Sequence, residues 1–220
     1  MSMIFKDRTD AAKKLAEKLL WLKKENPIIL AIPRGGAVTG DVISSILGCK
    51  LDIIVSRKVG APDNPELAIG AVMHDGSYFP NIEITRMLNV PESFVEEEIA
   101  RQRKEIERRL IKFRGSKEYD LSGKTVVIVD DGIATGATMF VAARWVKKQK
   151  PKKLIIAIPV GPSETIAKLN QIADEVVVLQ SPYIFNAVGE FYQVFDQVSD
   201  DEVQEIMSKH SFVTENRNPG

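Results

Sequence analysis

The chain has 220 residues, enough for one large domain with a full hydrophobic core. Its 30 basic and 30 acidic side chains cancel, so no net charge attracts it to nucleic acid or to an anionic membrane. The single cysteine, Cys49, excludes an internal disulfide framework, and no apolar run is long enough to cross a membrane. Because the N-terminal stretch also lacks a secretory apolar core, we expect a soluble cytoplasmic protein.

The first predicted elements are one helix and two strands. Residues 9–24 place apolar side chains at helical spacing, and Thr9 or Asp10 is suited to cap this helix. Residues 28–32 and 51–55 are short apolar runs, as is typical of strands buried on both faces of a parallel sheet. This order of elements favours an α/β fold.

A glycine-containing turn lies between the two strands. It reads Pro33-Arg34-Gly35-Gly36 and leads into a helical pattern over residues 38–47. The two glycines allow a ligand to approach the backbone closely, and Arg34 supplies a fixed cation. Taken alone, this tetrapeptide is more typical of an ordinary strand-to-helix turn.

The second strand leads into a basic pair and a loop. Residues 59–66 contain glycine, proline and asparagine, which predicts an irregular and mobile segment before an extended apolar stretch over residues 67–73. Arg57 and Lys58 can face an anionic ligand, or they can be solvated surface cations that contact nothing. We expect His74, which precedes Asp-Gly, to be a turn residue.

Residues 77–118 are predicted to form an insertion. Residues 77–84 can form a short hairpin arm, and residues 91–113 carry a helical pattern with charges of alternating sign on one face. Such a helix is half-solvated and packs on the core or on a second subunit, which is compatible with a homodimer. Nucleic-acid binding is not expected, because the acids and bases of this helix nearly cancel.

The strongest motif lies between a predicted strand at residues 126–129 and a predicted helix at residues 136–149. Asp130 and Asp131 follow the strand, and a segment of small residues leads into the helix. Free backbone N–H groups and a helix N-terminus at the carboxyl end of a sheet bind phosphate. Carboxylates repel phosphate, so the two acids should face sugar hydroxyls, a divalent cation or both.

The rest of the chain continues the alternation of strands and helices. We expect further elements as follows: a strand at 154–158, a helix at 163–172 capped by Ser163, a strand at 176–179 and a helix at 200–209. Residues 180–198 are rich in aromatic side chains, which either stack on a planar base or fill the core. Residues 1–210 are predicted to form one domain, and residues 211–220 a disordered tail.

The run Val-Val-Ile-Val-Asp-Asp-Gly-Ile-Ala-Thr-Gly-Ala-Thr over residues 126–138 resembles the phosphoribosyl-pyrophosphate (PRPP) signature of type I phosphoribosyltransferases. The resemblance implies that Asp130 and Asp131 are catalytic, contact the ribose hydroxyls, and hold Mg²⁺ directly or through water. It assigns the 5-phosphate to seven consecutive residues: Gly132, Ile133, Ala134, Thr135, Gly136, Ala137 and Thr138. Gly132 departs from the family pattern, since many members have a larger aliphatic residue there.

The same resemblance extends over residues 28–72 and 124–180, about half of the chain. It implies a central, mainly parallel sheet flanked by helices, Rossmann-like in type, with an inserted long helix and a small hood at residues 180–198. It places the pyrophosphate at Arg34, Gly35 and Gly36. It also implies that Arg57 and Lys58 are catalytic and reach the pyrophosphate, and that the loop after them closes over the substrate.

The function implied by the resemblance is transfer of the 5-phosphoribosyl group from PRPP to a small-molecule acceptor, a nucleobase in our interpretation, with release of pyrophosphate. A PRPP-binding regulatory protein without turnover is the alternative. A nucleoside-triphosphate enzyme is disfavoured, because neither Gly-x-x-x-x-Gly-Lys-Ser/Thr nor Gly-x-Gly-x-x-Gly occurs in the chain.

Overall fold

The computed structural model describes residues 4–215. The first helix, α1, spans Arg8–Lys18 and is followed by a 3-10 helix at Leu20–Glu25, so the continuous helix predicted over residues 9–24 is wrong. The N-cap is Asp7, whose side chain accepts a hydrogen bond of 2.8 Å from the Asp10 backbone N–H. Asp7 has the extended backbone that capping requires, whereas the proposed caps Thr9 and Asp10 already lie inside the helix.

Within the described residues, eight strands and six further α-helices follow α1. In chain order they are β1 (Ile28–Ala31), α2 (Gly35–Leu47), β2 (Lys50–Ile53), β3 (Ser56–Ala61), β4 (Asn64–Met73), β5 (Tyr78–Pro80), α3 (Ile82–Met87), α4 (Glu92–Arg114), β6 (Thr125–Val129), α5 (Ala137–Lys148), β7 (Lys153–Val160), α6 (Ser163–Leu169), β8 (Glu175–Gln180) and α7 (Asp200–Glu215).

The central sheet has five parallel strands in the order β2-β1-β6-β7-β8. This confirms the predicted α/β fold with a parallel sheet flanked by helices. The chain runs outward from β1 to β2 and then returns to place β6 on the other side of β1, so the strand order reverses between β1 and β6. Ligands of open α/β sheets bind at such a switch point, beyond the carboxyl ends of the strands.

Strand β6 shows how the core is built on both faces of this sheet. Val127 and Val129 pack into one cluster with α1, α2, α4 and α7, while Val126 and Ile128 pack into a second cluster with α5 and α6. All four side chains have no exposed surface. Because alternate residues of a strand point to opposite faces, a strand covered on both sides must be apolar at every position.

The segment predicted to be an irregular, mobile loop at residues 59–66 is a β-hairpin. Strands β3 and β4 pair antiparallel, and β5 adds to the free edge of β4 to make a separate three-stranded sheet. The glycine and prolines that predicted a loop shape the hairpin instead. A Cβ on Gly60 would lie 2.6 Å from the Pro65 carbonyl oxygen, at the point where the strand register shifts.

Two predicted helices differ from the structure at their ends. Helix α6 has Pro162 as its N-cap and Ser163 as its first helical residue, so the predicted Ser163 cap is wrong. Helix α7 runs beyond residue 209 to Glu215, so residues 211–215 of the predicted disordered tail are helical. Residues 216–220 of that tail lie outside the described residues. The long helix predicted over residues 91–113 is confirmed as α4.

Within residues 4–215, no helix is both long and apolar enough to cross a membrane.

An aromatic cluster joins the end of β4 to α5. The His74 ring lies 5.4 Å from the Tyr119 ring and 5.0 Å from the Trp145 ring, measured between centroids. Trp145 donates a hydrogen bond of 2.9 Å from Nε1 to the Asp75 carboxylate. Burial lowers the pKa of His74, and the opposing charge of Asp75 only partly offsets this effect.

We predict that His74 makes the protein less stable as the pH falls. In the unfolded chain the imidazole takes up a proton near its ordinary pKa, whereas the folded protein binds that proton only at lower pH. Between these two values the unfolded state binds more protons, so the free energy of unfolding decreases with decreasing pH. Urea unfolding at pH 7.5 and 5.5 should show a smaller decrease in His74→Gln than in the wild type. An equal decrease in both proteins would contradict this assignment.

Candidate functional site

Two turns meet at the switch point of the sheet. The first follows β1 and contains the cis peptide bond between Pro33 and Arg34; the second follows β6 and begins with Asp130 and Asp131. Their close approach requires glycine on the first turn. A Cβ on Gly35 would lie 1.9 Å from Asp131 Oδ2, which no real side chain could occupy. The turn and the acids therefore form one site.

The second glycine of the first turn, Gly36, is equally constrained. A Cβ there would lie 2.9 Å from the Val129 carbonyl oxygen and 3.0 Å from the Asp130 Cα. Helix α2 begins at Gly35, three residues before the helical pattern predicted from residue 38. The first N–H groups of α2 therefore belong to the turn itself, and they have no partner within the helix.

The two acids have different surroundings. The Asp131 backbone N–H donates a hydrogen bond of 2.9 Å to Asp130 Oδ1. Burial raises the pKa of Asp130 well above its ordinary value, and the neighbouring charge of Asp131 raises it further. Asp131 instead forms an ion pair with Arg8, whose Nε lies 2.7 Å from Asp131 Oδ2.

Sequence reasoning missed Arg8. It lies in the first turn of α1, far from the signature in the sequence, and no local motif marks it. Its guanidinium also donates a hydrogen bond of 2.7 Å from Nη1 to the Asp196 carbonyl and lies 3.9 Å from the centre of the Phe195 ring. Tyr192 donates a hydrogen bond from its hydroxyl to the Asp131 carbonyl. Helix α1 and the hood therefore both contact the acid pair.

The predicted phosphate loop is shaped by Gly132 and Gly136. A Cβ on Gly132 would lie 2.5 Å from Val188 Cγ1, which explains the departure from the family pattern: the hood fills the space of the usual side chain. Gly136 has a positive φ of 73° and is the N-cap of α5. A Cβ there would lie 2.7 Å from Thr165 Cγ2.

The other residues of this loop fall into two groups: one is buried and hydrogen-bonded to the sheet, and the others form an exposed arc. Ile133 is buried, and its N–H donates a hydrogen bond of 3.0 Å to the Val160 carbonyl. Ala134 and Thr135 are exposed, and Ala137 and Thr138 begin α5. Because the first N–H groups of a helix have no intrahelical partner, this arc has the chemistry of an anion site.

The three predicted cations are not brought together. Arg34 faces α7, where its Nη1 lies 3.7 Å from Asp200 Oδ1. Arg57 donates a hydrogen bond to the side chain of Gln102 in α4, and burial lowers its pKa. Lys58 is next to Arg57 on β3 and lines a cleft of about 750 Å³.

That cleft separates the hairpin from α5 and α6. Thr135 and Ala137 of the phosphate loop form part of its wall together with Lys58, while Asp130, Asp131 and Arg34 do not line it. This cleft therefore touches the phosphate loop without containing the acids. The acids lie instead where the turn after β1 meets the turn after β6.

Most of the hood aromatics fill a small core. Phe191 and Tyr192 are 6% and 7% exposed, and they cluster with Phe5 and with the partly buried Phe185 and Phe195. The ring centroids of Phe185 and Phe191 are 5.2 Å apart. Tyr183, by contrast, is fully exposed. Of the two interpretations of this segment, core filling describes four of its five aromatic rings.

Comparisons with known proteins agree with this geometry. A family model described as phosphoribosyl transferase domain matches residues 2–193. Two Mycobacterium tuberculosis proteins, from strains CDC 1551 and H37Rv, are each named "Putative phosphoribosyl transferase". Each is 38% identical to this chain over 207 residues, which are 94% of this chain and 47% of the relative. The chain thus spans about half the length of the curated relatives it matches.

A solved structure is similar to this chain in both sequence and fold. The protein TT1426 from Thermus thermophilus is 40% identical to this chain and superposes with a TM-score of 0.79. The match covers 94% of this chain and 99% of TT1426. From the family match over nearly its whole length, from its sequence relatives and from its fold, the chain belongs to the phosphoribosyl transferase domain family.

Proposed function

We propose that this domain transfers the 5-phosphoribosyl group of PRPP to a nucleobase acceptor and releases pyrophosphate. One observation carries the proposal: an acid pair lies at the switch point between two turns, each of which leads into a helix N-terminus. An acidic centre with an anion site on either side suits a ligand with a ribose diol between two phosphate groups. PRPP has this arrangement.

The roles of the residues follow from the charges that develop in the reaction. Breaking the bond at the anomeric carbon leaves positive charge on the ribose and negative charge on the pyrophosphate. In the proposal, Asp130 and Asp131 hold the ribose hydroxyls and stabilise the cationic ring. The loop of residues 132–138 holds the 5-phosphate. Arg34 and the backbone of Gly35 and Gly36 hold the pyrophosphate.

The hairpin supplies the remaining cations in this proposal. Lys58 is the better placed of the two predicted catalytic cations, because it shares a cleft with Thr135 and Ala137. Arg57 is hydrogen-bonded to Gln102 and would have to leave α4 to reach a substrate. This orientation of Arg57, together with the contact of Arg34 with Asp200, favours the alternative function, a PRPP-binding regulator without turnover.

The donor set fits Mg²⁺ that is held partly by the substrate. Among residues 4–210, no group of three or more His, Cys, Asp or Glu side chains is arranged to hold a metal ion. Two adjacent carboxylates still suit Mg²⁺, which commonly takes its other ligands from substrate phosphates and water. Asp130 and Asp131 would hold the ion directly or through water, and when bound it would neutralise charge on the departing pyrophosphate.

We further propose that the protein serves nucleotide salvage in the cytoplasm as a homodimer. Exposed apolar side chains next to the inserted helix support a subunit contact: Ile82 and Met87 on α3 are 56% and 68% exposed, and Ile111 on α4 is 54% exposed. Light scattering should give a mass twice the 24.5 kDa of one chain. A mass of one chain at micromolar concentration would overturn the dimer.

We predict that the double substitution Asp130→Asn/Asp131→Asn abolishes transfer. Without the carboxylates the cationic ring loses its stabilisation, and we expect a loss of at least about 100-fold in turnover. Pyrophosphate release should be measured with PRPP, Mg²⁺ and a panel of nucleobases. Asp120→Asn is the matched control, because that carboxylate is 81% exposed and pairs with Lys124 on the surface.

Three outcomes of this assay are informative. Release that requires one base and disappears in the double variant establishes the transferase and identifies its acceptor. PRPP binding by calorimetry without release for any base favours the regulator. If the wild type does not bind PRPP at all, the proposed function is wrong.

We predict that Gly35→Ala weakens PRPP binding by about tenfold or more, because the new methyl group displaces Asp131 and closes the turn. The control is Gly123→Ala. Gly123 also has a positive φ, of 68°, so alanine strains its backbone, but a Cβ there would have no atom within 4 Å. Calorimetry should give unchanged PRPP affinity in this control. Equal affinities in both variants would show that the turn does not bind PRPP.

A further inference from the structure

The ion pair between Arg8 and Asp131 is unlike the surface pairs of this chain. The Arg8 and Asp131 side chains are only 12% and 13% exposed, and Nε lies 2.7 Å from Oδ2. By comparison, the pair between Lys14 and Asp10 in the same helix is 40% and 23% exposed. An exposed pair has little energetic effect, whereas a well-oriented and mostly buried pair constrains both of its partners.

The guanidinium of Arg8 is held on three sides. Nε donates to Asp131, Nη1 donates to the Asp196 carbonyl at 2.7 Å, and the plane lies 3.9 Å from the centre of the Phe195 ring. A planar group with several fixed donors can make these contacts together, which a lysine ammonium cannot. The Arg8 cation is therefore set in place by the hood before any ligand binds.

Asp131 in turn is packed between Arg8 and the first turn. A Cβ on Gly35 would lie 1.9 Å from Asp131 Oδ2 and 3.1 Å from Arg8 Nε, so all three residues meet at one point. The Asp131 backbone N–H also donates a hydrogen bond of 2.9 Å to Asp130 Oδ1. Replacing Arg8 would remove the ion pair that holds Oδ2 at this point.

We propose that Arg8 is a positioning residue for PRPP: it holds Asp131 through Oδ2 and thereby presents Oδ1 to the ribose hydroxyls. Arg8 acts through Asp131 and does not itself contact the substrate. This inference rests on the proposed function, in which Asp131 holds the ribose. It makes the first turn of α1 and the hood part of the PRPP site.

The competing explanation is that Arg8 only fastens α1 to the hood. Both explanations predict some loss of stability when Arg8 is replaced, so stability cannot separate them. The two explanations differ in whether the effect of an Arg8 substitution depends on Asp131. A residue that acts through Asp131 has no effect on PRPP affinity once Asp131 can no longer respond, whereas a general structural effect persists in any background.

The test is a double-mutant cycle measured by calorimetry with PRPP and Mg²⁺. The proteins are the wild type, Arg8→Gln, Asp131→Asn and the double variant, with Lys14→Gln as the control that removes another cation from α1. We expect Arg8→Gln to weaken PRPP binding on the order of tenfold in the wild-type background, because a misplaced carboxylate loses its contact with the ribose. In the Asp131→Asn background the same substitution should change the affinity less than about twofold. Lys14→Gln should bind as the wild type does.

Two outcomes would overturn the proposal: unchanged affinity in Arg8→Gln, or an equal loss in both backgrounds. Arg8→Lys is the second test, for the case that Asp131→Asn binds too weakly to measure. It keeps the cation but cannot reach Asp131 and Asp196 together, so a positioning role predicts an affinity between those of the wild type and Arg8→Gln. An affinity as low as that of Arg8→Gln would count against Arg8 acting as a cation.

If the proposed function is wrong, the measurements differ from those that would overturn the role of Arg8. If the wild type binds PRPP but no base triggers pyrophosphate release, the regulator is favoured over the transferase, and the cycle still decides the role of Arg8. If the wild type does not bind PRPP, both proposals are wrong.

Discussion

The close approach of two backbone turns is the constraint on which this site depends. At the carboxyl ends of β1 and β6, the turn at Gly35 and Gly36 lies against Asp130 and Asp131 with no room for a Cβ between them. The parallel pairing of β1 and β6 fixes the distance between the turns, and the two apolar faces of the sheet fix the strands. A residue larger than glycine would push the turn and the acids apart. The packing of the core therefore fixes the contact between the Gly35 turn and the Asp131 carboxylate.

Charge is the second constraint, because two adjacent carboxylates in a half-buried place repel each other. The two carboxylates have different surroundings. Burial and the neighbouring charge raise the pKa of Asp130, while Arg8 balances the charge of Asp131. The compensating cation is supplied by α1 and is held by the hood, and Phe5 binds these two segments together through backbone hydrogen bonds of 2.8 Å to residues 191 and 193. The small aromatic core formed by Phe5 and the hood therefore helps to hold the cation that balances the charge of Asp131.

The sequence was sufficient to predict features that depend on consecutive residues. The run from Val126 to Thr138 contains a buried strand, two acids and a helix start in order, so the strand, the loop and the helix were all correctly predicted. Features that depend on distant residues were not predictable in this way. The contact of Arg8 with Asp131 joins residues 123 positions apart. Gly60 and the neighbouring prolines carry the same local signal in a loop and in a bulged hairpin, and only packing against α4 and α5 decides between the two.

The hood aromatics pack toward the acid pair and leave little ring surface free. Four of the five aromatic rings in residues 180–198 are committed to the small core or to the contact with Arg8, so they stabilise the acid pair and do not offer a free face to a base. Tyr183 is the exception in this segment, because its ring is fully exposed. A stacking contact with a planar acceptor would therefore have to come from Tyr183 or from outside the hood. Residues 183 and 184 are both exposed, so their exchange would leave the contacts of Arg8 and Asp131 with the hood in place.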